Sequence, residues 1–225
     1  VSAVEAMGFE VSWLGRVGYA EALAIQRAAR EAVIAGEGPE RLLLLEHPAT
    51  VTLGRRGGEI DRASLERDGV PVVWSERGGL ATVHAPGQLV VYLIADLARR
   101  RWRVPDVVAA LEDGVILWLA SRGVAAGRRA GAPGVWVDDA KIAAIGLHLA
   151  HQVSMHGLAL NLSPDLGLFD RIVPCGLVGL RATSLHRVTG AAPAVEDAAP
   201  AVGASVLRAL GALSGEVASD RRGAV

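Results

Sequence analysis

Cysteine, lysine and asparagine each occur once in this chain of 225 residues, as Cys175, Lys141 and Asn161. A single cysteine excludes an intramolecular disulfide and a thiolate-built metal cluster, and it fits a reducing, cytoplasmic setting. A single lysine that follows Ala140 excludes a Walker phosphate loop, which needs Gly-Lys, and no Gly-x-Gly-x-x-Gly turn is present. Charge of one sign is also missing: 23 Lys and Arg against 24 Asp and Glu leave a net charge of -1, which excludes a generally basic nucleic-acid binder. No apolar run is long enough to cross a bilayer, since Val104 to Ala120 is broken by Asp106, Glu112 and Asp113 and reads as an amphipathic helix. Val1 to Gly8 lacks the basic and apolar regions of a secretory signal. Asn161-Leu162-Ser163 matches a glycosylation pattern, but Pro164 follows it and nothing signals secretion.

What is present, 51% hydrophobic and 21% charged residues, suits one globular domain over residues 1–225 with a loose tail from about Gly215. Basic clusters at Arg55-Arg56, at Arg99-Arg100-Arg101 with Arg103, and at Arg128-Arg129 fit either an acidic protein partner or solvated surface. The patterning predicts strands over Phe9 to Leu14, Arg41 to Glu46, Thr50 to Gly54, Val72 to Arg77, Ala81 to His84 and Gln88 to Asp96. Three more follow over Gly134 to Asp138, Lys141 to His151 and Val153 to Leu162. Helices are expected from Tyr19 to Ile34, after a cap at Asp61, from Asp106 to Ser121, near Asp165 to Ile172, and from Val202 to Leu213, with Gly190 to Pro200 as a connector. A strand-rich middle with helices at its flanks is an α+β pattern with a mixed, largely antiparallel sheet.

An ammonium, unlike a guanidinium, can give up its proton when partly desolvated, so a lone lysine among 22 arginines marks a position suited to proton transfer. Compositional drift is the other reading, and the lone Asn161 shows that such drift exists. Strand alternation puts Lys141 on one face with Ala143, Ile145, Leu147 and Leu149, at the mouth of an apolar surface. Cys175 lies between Pro174, which stiffens the approach, and Gly176, which lets backbone come close to a substrate. A nucleophile and a buried structural thiol both remain open there. His148 and His151 have odd spacing on a strand and point apart, so zinc held with His156 is disfavoured, while His84, just before Ala85-Pro86-Gly87, is the histidine best placed to line a pocket.

Arg77-Gly78-Gly79 with Thr82, His84, Pro86-Gly87-Gln88-Leu89-Val90 and Tyr92 resembles a signature segment of the lipoyl (octanoyl) transferases. Gly134 to Val137 with Lys141 to Gly146, Met155 to Asn161, Phe169 to Gly176 and Thr183-Ser184-Leu185 resemble further blocks of that family, in family order. The departure is Ala85, where the family has glycine. The resemblance implies the fold of biotin and lipoate protein ligases. It also implies the reaction, in which octanoyl arrives as a thioester on acyl carrier protein, forms an acyl-enzyme on Cys175, and passes to the lysine of a lipoyl-carrier domain. Those carriers are the lipoyl domains of 2-oxoacid dehydrogenase E2 subunits and the glycine cleavage H protein.

By the same resemblance Lys141 is the general acid/base that favours the Cys175 thiolate, and the acyl substrate lies against three segments. They are Arg77, Gly78, Gly79, Leu80, Ala81, Thr82, Val83 and His84; Ala144, Ile145 and Gly146; and Gly157, Leu158 and Ala159. Neither cofactor nor metal is implied, because a thioester is already activated, and the family suggests a cytoplasmic monomer. An ATP-dependent lipoate or biotin ligase on the same fold and a non-catalytic carrier-binding module are the alternatives.

Overall fold

The computed structural model of the protein describes residues 7–172 and 181–220. The chain begins β1 (Phe9–Arg16), α1 (Tyr19–Ala35), β2 (Glu40–Glu46), β3 (Thr50–Leu53), α2 (Arg62–Arg67), β4 (Val72–Trp74), β5 (Ala81–His84) and β6 (Gln88–Ile94). It continues with α3 (Leu97–Arg100), α4 (Val104–Ala120), β7 (Val135–Val137), β8 (Ala140–Ala150), β9 (Val153–Asn161) and a 3-10 helix over Leu166–Arg171. The last elements are β10 (Arg181–Ala182), α5 (Leu185–Thr189) and α6 (Val195–Asp220).

A seven-stranded mixed sheet has the order β1-β2-β6-β9-β8-β10, with β7 also on β8, and a second sheet has the order β4-β3-β5. β1 with β2 and β8 with β10 are parallel, while β2, β6, β9 and β8 pair antiparallel. This is the α+β, mixed-sheet architecture that the sequence pattern predicts.

β6 and β9 are buried at every position, so alternate residues serve opposite faces of the sheet. Leu89, Val91, Leu93, Leu158 and Leu160 join Val107, Leu111 and Val115 of α4 and Val202, Val206 and Leu210 of α6 in one core. Val90, Tyr92, Ile94 and Met155 meet Ala22, Ala29 and Val33 of α1 in another. The small sheet has its own core, in which Val51, Leu53 and Val83 pack on Leu65 and Ile172. Gly36 ends α1 in the left-handed conformation, and Asp61 caps α2 by accepting the Ser64 N–H at 3.0 Å.

Three expectations need correction. β4 stops at Trp74, so the stretch toward Arg77 leaves the sheet and is free to cover other residues. The expected connector to Pro200 is already helix from Val195, with Pro200 inside it, and that helix continues to Asp220 rather than fraying at Gly215. A proline inside a helix costs about 3 kcal/mol. Burial of Ala198, Ala199, Val202, Val206, Leu207 and Leu210 outweighs that cost.

The arginine clusters also divide. Arg99 and Arg100 hold the buried carboxylate of Glu40, and Arg128 bridges Glu112 and Asp113, so these cations serve the fold. Arg55 and Arg56 are exposed and make no ion pair with another described residue.

α4 and α6 approach so closely that a Cβ on Gly114 would sit 2.6 Å from Val206 Cα, and Ser205 Oγ donates to Gly114 O at 2.8 Å. Gly114→Ala should therefore destabilise the protein by about 1–3 kcal/mol through overpacking, despite alanine's better helix propensity. Urea unfolding checks this, and a stabilised variant would contradict the packing.

Candidate active site

Small residues on two neighbouring strands leave a slot. Ala144 pairs with Ala159 and Gly146 with Gly157 across β8 and β9, so no large side chain fills the surface there. The loop after β4 closes over it: Gly78 N–H donates to Leu147 O at 2.9 Å, which ties the loop to β8. A Cβ on Gly146 would lie 2.9 Å from Gly78 O, so glycine at 146 is what permits this approach. Arg77 fastens the loop from below, its Nε donating to Thr52 Oγ1 at 3.1 Å, Nη2 to Thr52 O at 2.7 Å and Nη1 to Gly78 O at 3.0 Å.

The result is a cavity of about 280 Å³ lined by Arg77 to Thr82, Ala144 to Leu147 and Ala159, with Val104 and Val108 of α4, Phe169 and Ile172. An inner pocket of about 40 Å³ adjoins it, sharing Arg77, Thr82, Ala144, Ile145, Gly146 and Ala159 and adding His84, Gly157 and Leu158. All three segments named from the sequence thus converge, with one exception. Val83 is fully buried in the core of the small sheet and lines neither space, because it faces away from the slot. Ala85 is buried in the same core, so its methyl group also lies off both linings.

Lys141 lines the outer cavity, but not by way of the apolar face that simple alternation gives it. Val135 pairs with Ala143 while Trp136 pairs with Lys141, so β8 carries an extra residue at this point. Such a bulge resets the alternation. Val135, Val137, Ile142 and Ala143 enter the core against α4 and α6, whereas Lys141 shares the side of Trp136. Its Nζ lies 4.8 Å from the centre of the Trp136 ring and donates to Pro133 O at 2.8 Å. Glu112 of α4, buried and paired with Arg128, accepts the Gly134 N–H at 2.8 Å and so fixes the turn that presents Pro133 O.

Sequence reasoning gave Asn161 no role, yet it is a brace beneath this corner. It accepts from Gln88 Nε2 and donates to Thr183 O, both at 2.9 Å, and the Thr183 N–H in turn donates to Lys141 O at 2.9 Å. Its place in a matched block beside the slot-forming Ala159 was the available signal. Cys175 lies outside the described residues. The described residues that flank its segment, Ile172 and Arg181, both line the cavity. Among the described residues no three His, Cys, Asp or Glu side chains gather as a metal site.

Beyond the slot lies a cluster of buried rings. Tyr19 stacks on His84 at 5.8 Å, His47 meets His84 edge-on at 5.2 Å, and Tyr92 meets His156 edge-on at 5.8 Å. Tyr92 Oη lies 2.8 Å from His47 Nε2, and His84 Nδ1 lies 2.8 Å from Gln88 Oε1. Burial holds His47 and His84 below the ordinary imidazole range, and it lowers His156 to about 3, with the nearby Arg77 adding to the effect. These side chains are therefore neutral at pH 7. Of these rings His84 is the one that the sequence places at a pocket, whereas Tyr19, His47 and Tyr92 come from separate elements that only the fold unites.

A model of the lipoyl protein ligase A/B catalytic domain matches residues 18–206. The octanoyltransferase of Desulfovibrio desulfuricans is 44% identical over 187 residues, spanning 81% of this chain and 77% of that protein. The octanoyltransferase of Chloroflexus aurantiacus is 46% identical over 196 residues, spanning 84% of this chain and 88% of that one. Among solved structures, lipoate-protein ligase A bound with ATP superposes with a TM-score of 0.71 at 15% identity, covering 92% of this chain and 85% of that one. The biotin protein ligase of Aquifex aeolicus does so at 0.55 with 13% identity, covering 92% and 71%. These last two likenesses concern the fold alone.

The neutral histidines carry a consequence for acid stability. An unfolded His156 takes up a proton near pH 6.5, whereas the folded one resists until about pH 3. The unfolded state therefore binds more protons in this window, so stability is complete above pH 6.5 and falls as the pH drops through it, by about 1.4 kcal/mol per pH unit for this residue. His156→Asn, which tolerates the left-handed backbone at φ 61°, should remove that much slope. Urea unfolding between pH 4.5 and 7 checks it, and parallel curves for the two proteins would contradict a neutral buried His156.

Proposed function

Since this chain belongs to the lipoyl protein ligase A/B catalytic-domain family, we propose the following working of its site, on the premise that it is an octanoyltransferase of protein lipoylation. Octanoyl enters as a thioester on the phosphopantetheine arm of acyl carrier protein and lies along the slot under Arg77 to Thr82. Cys175 gives its proton to the amine of Lys141 and attacks the thioester carbonyl. The carrier thiolate leaves and takes that proton back from Lys141. In the second half, the ε-amine of a lysine on a lipoyl domain attacks the Cys175 acyl group. An amide forms, Cys175 leaves as thiolate, and Lys141 takes the amine's proton and returns it to Cys175, which restores the starting thiol and amine. The acceptors are the lipoyl domains of 2-oxoacid dehydrogenases and the glycine cleavage H protein.

The observation that carries this reading is the meeting of one lysine side chain with one apolar slot. Lys141 Nζ is held at the cavity by Pro133 O, and both described residues that flank the Cys175 segment line the same cavity. Burial of an alkyl chain contributes about 0.8 kcal/mol per methylene, so a lining of Ala144, Ile145, Leu80 and Val108 supports much of the substrate's affinity. Arg56, Arg77, Lys141 and Arg181 all line the cavity and no carboxylate among the described residues does, which favours the thiolate and the oxyanion of the tetrahedral intermediate. A thioester already supplies the activation, so the reaction needs no ATP, which separates this reading from a ligase of the same fold.

Incubating the protein with octanoyl-acyl carrier protein and no nucleotide should add one octanoyl group by intact mass. The adduct should be released by hydroxylamine and be absent in Cys175→Ala. Absence of any adduct on the unaltered protein would overturn the reading, and an adduct that survives Cys175→Ala would remove Cys175 from it.

A further inference from the structure

The inner pocket has several side chains in its wall that can form hydrogen bonds. Tyr19, Thr82, His84, Tyr92 and His156 all contribute to its wall. Most of these polar groups are already satisfied within the protein: Tyr19 Oη donates to Ser75 Oγ at 2.7 Å, Tyr92 Oη is bonded to His47, and His84 Nδ1 is bonded to Gln88. His156 is not. It is 2% exposed, and its Nε2 is buried with no hydrogen-bond partner among the described residues. Behind it, Gln26 accepts the His156 N–H at 2.8 Å while its own Nε2 is likewise buried and unpaired. Buried polar atoms in native proteins are nearly always given a partner, so this nitrogen beside a small pocket calls for one.

We infer that the inner pocket is a polar subsite for a hydrogen-bonding group at the far end of the acyl chain. The group is an ordered water beneath an eight-carbon chain, or the terminal hydroxyl of an ω-hydroxyacyl chain. The inference rests on the acyl-transfer reading of the outer cavity. The inner pocket adjoins the outer cavity at Ala144, Ile145 and Gly146, so the far end of a chain lying in that cavity faces it. A space of about 40 Å³ exceeds the roughly 10–15 Å³ that an ordered water requires. His156 is neutral, and a water or hydroxyl both donates and accepts, so it complements either tautomer. A methyl group complements neither.

Nonanoyl and 8-hydroxyoctanoyl groups have equal length and differ only in CH₃ against OH at the end. With both loaded on acyl carrier protein, the unaltered protein should transfer 8-hydroxyoctanoyl with the higher kcat/KM, by about tenfold. A preference for nonanoyl, as an apolar terminus would give, overturns the inference. His156→Leu should lower the ratio by about tenfold, and an unchanged ratio would remove His156 from the subsite. Because leucine is strained at φ 61°, Thr82→Val, on the wall of both spaces, is the second variant and should move the ratio in the same direction. Octanoyl transfer, measured alongside, separates the two ideas: its absence in the unaltered protein counts against the transferase, whereas octanoyl transfer with nonanoyl preferred counts against the subsite alone.

Discussion

A bulge of one residue where β8 pairs with β7 decides where the chain's only lysine goes. Without it, alternation would carry Lys141 onto the face of Ala143 and Ile145, against the core shared with α4 and α6. An ammonium placed among those side chains would lose its hydration with no compensating charge, a penalty of several kcal/mol by the usual reckoning of about that much per buried ion. The extra residue lets Ile142 and Ala143 complete the core and turns Lys141 toward Trp136, Pro133 O and the cavity. Glu112, Gly134 and the Gln88–Asn161–Thr183 chain hold that corner from behind, so helix, turn and two strands agree on one position for the amine.

The slot depends on the same economy of volume. Two cross-strand pairs of small residues make room, and a loop held by its own buried guanidinium lies over them. Arg56, Lys141 and Arg181 line the outer cavity together with apolar side chains, and neutral rings stand beside Arg77 around the inner pocket. The outer cations suit the reacting end of an acyl thioester, which develops negative charge. The terminal ring cluster makes the depth of the slot a chemical boundary as well as a steric one.

Much of this was legible in the sequence, for identifiable reasons. Strands at β6, β8 and β9 follow from long apolar runs bounded by turn residues, and the Asp61 cap and the Gly36 stop follow from side-chain chemistry near helix ends. The three segments read as substrate-binding lie in motif blocks, and all their residues but Val83 reach the two spaces. The bulge was not legible, since an extra residue leaves no mark in composition or period, and so Lys141 was read onto the wrong face for a cavity it does line. Pro200 concealed the start of α6, because local propensity speaks against helix and only packing on α4 reveals it. The roles of Asn161, Tyr19, His47 and His156 arise from contacts between residues remote in sequence, such as His156 with Gln26. Arg99, Arg100 and Arg128 looked like docking charges because their acidic partners, Glu40 and Glu112, lie in other elements.

The most direct measurement is single-turnover acyl-enzyme formation by Lys141→Arg, compared with the unaltered protein at equal thermal stability. Arginine keeps the positive charge at the cavity but cannot give up its proton. If Lys141 relays a proton, formation of the octanoyl adduct slows by about 100-fold or more, the usual range for loss of a general acid or base. An unchanged rate would show that the lysine contributes charge alone and would contradict the proton relay.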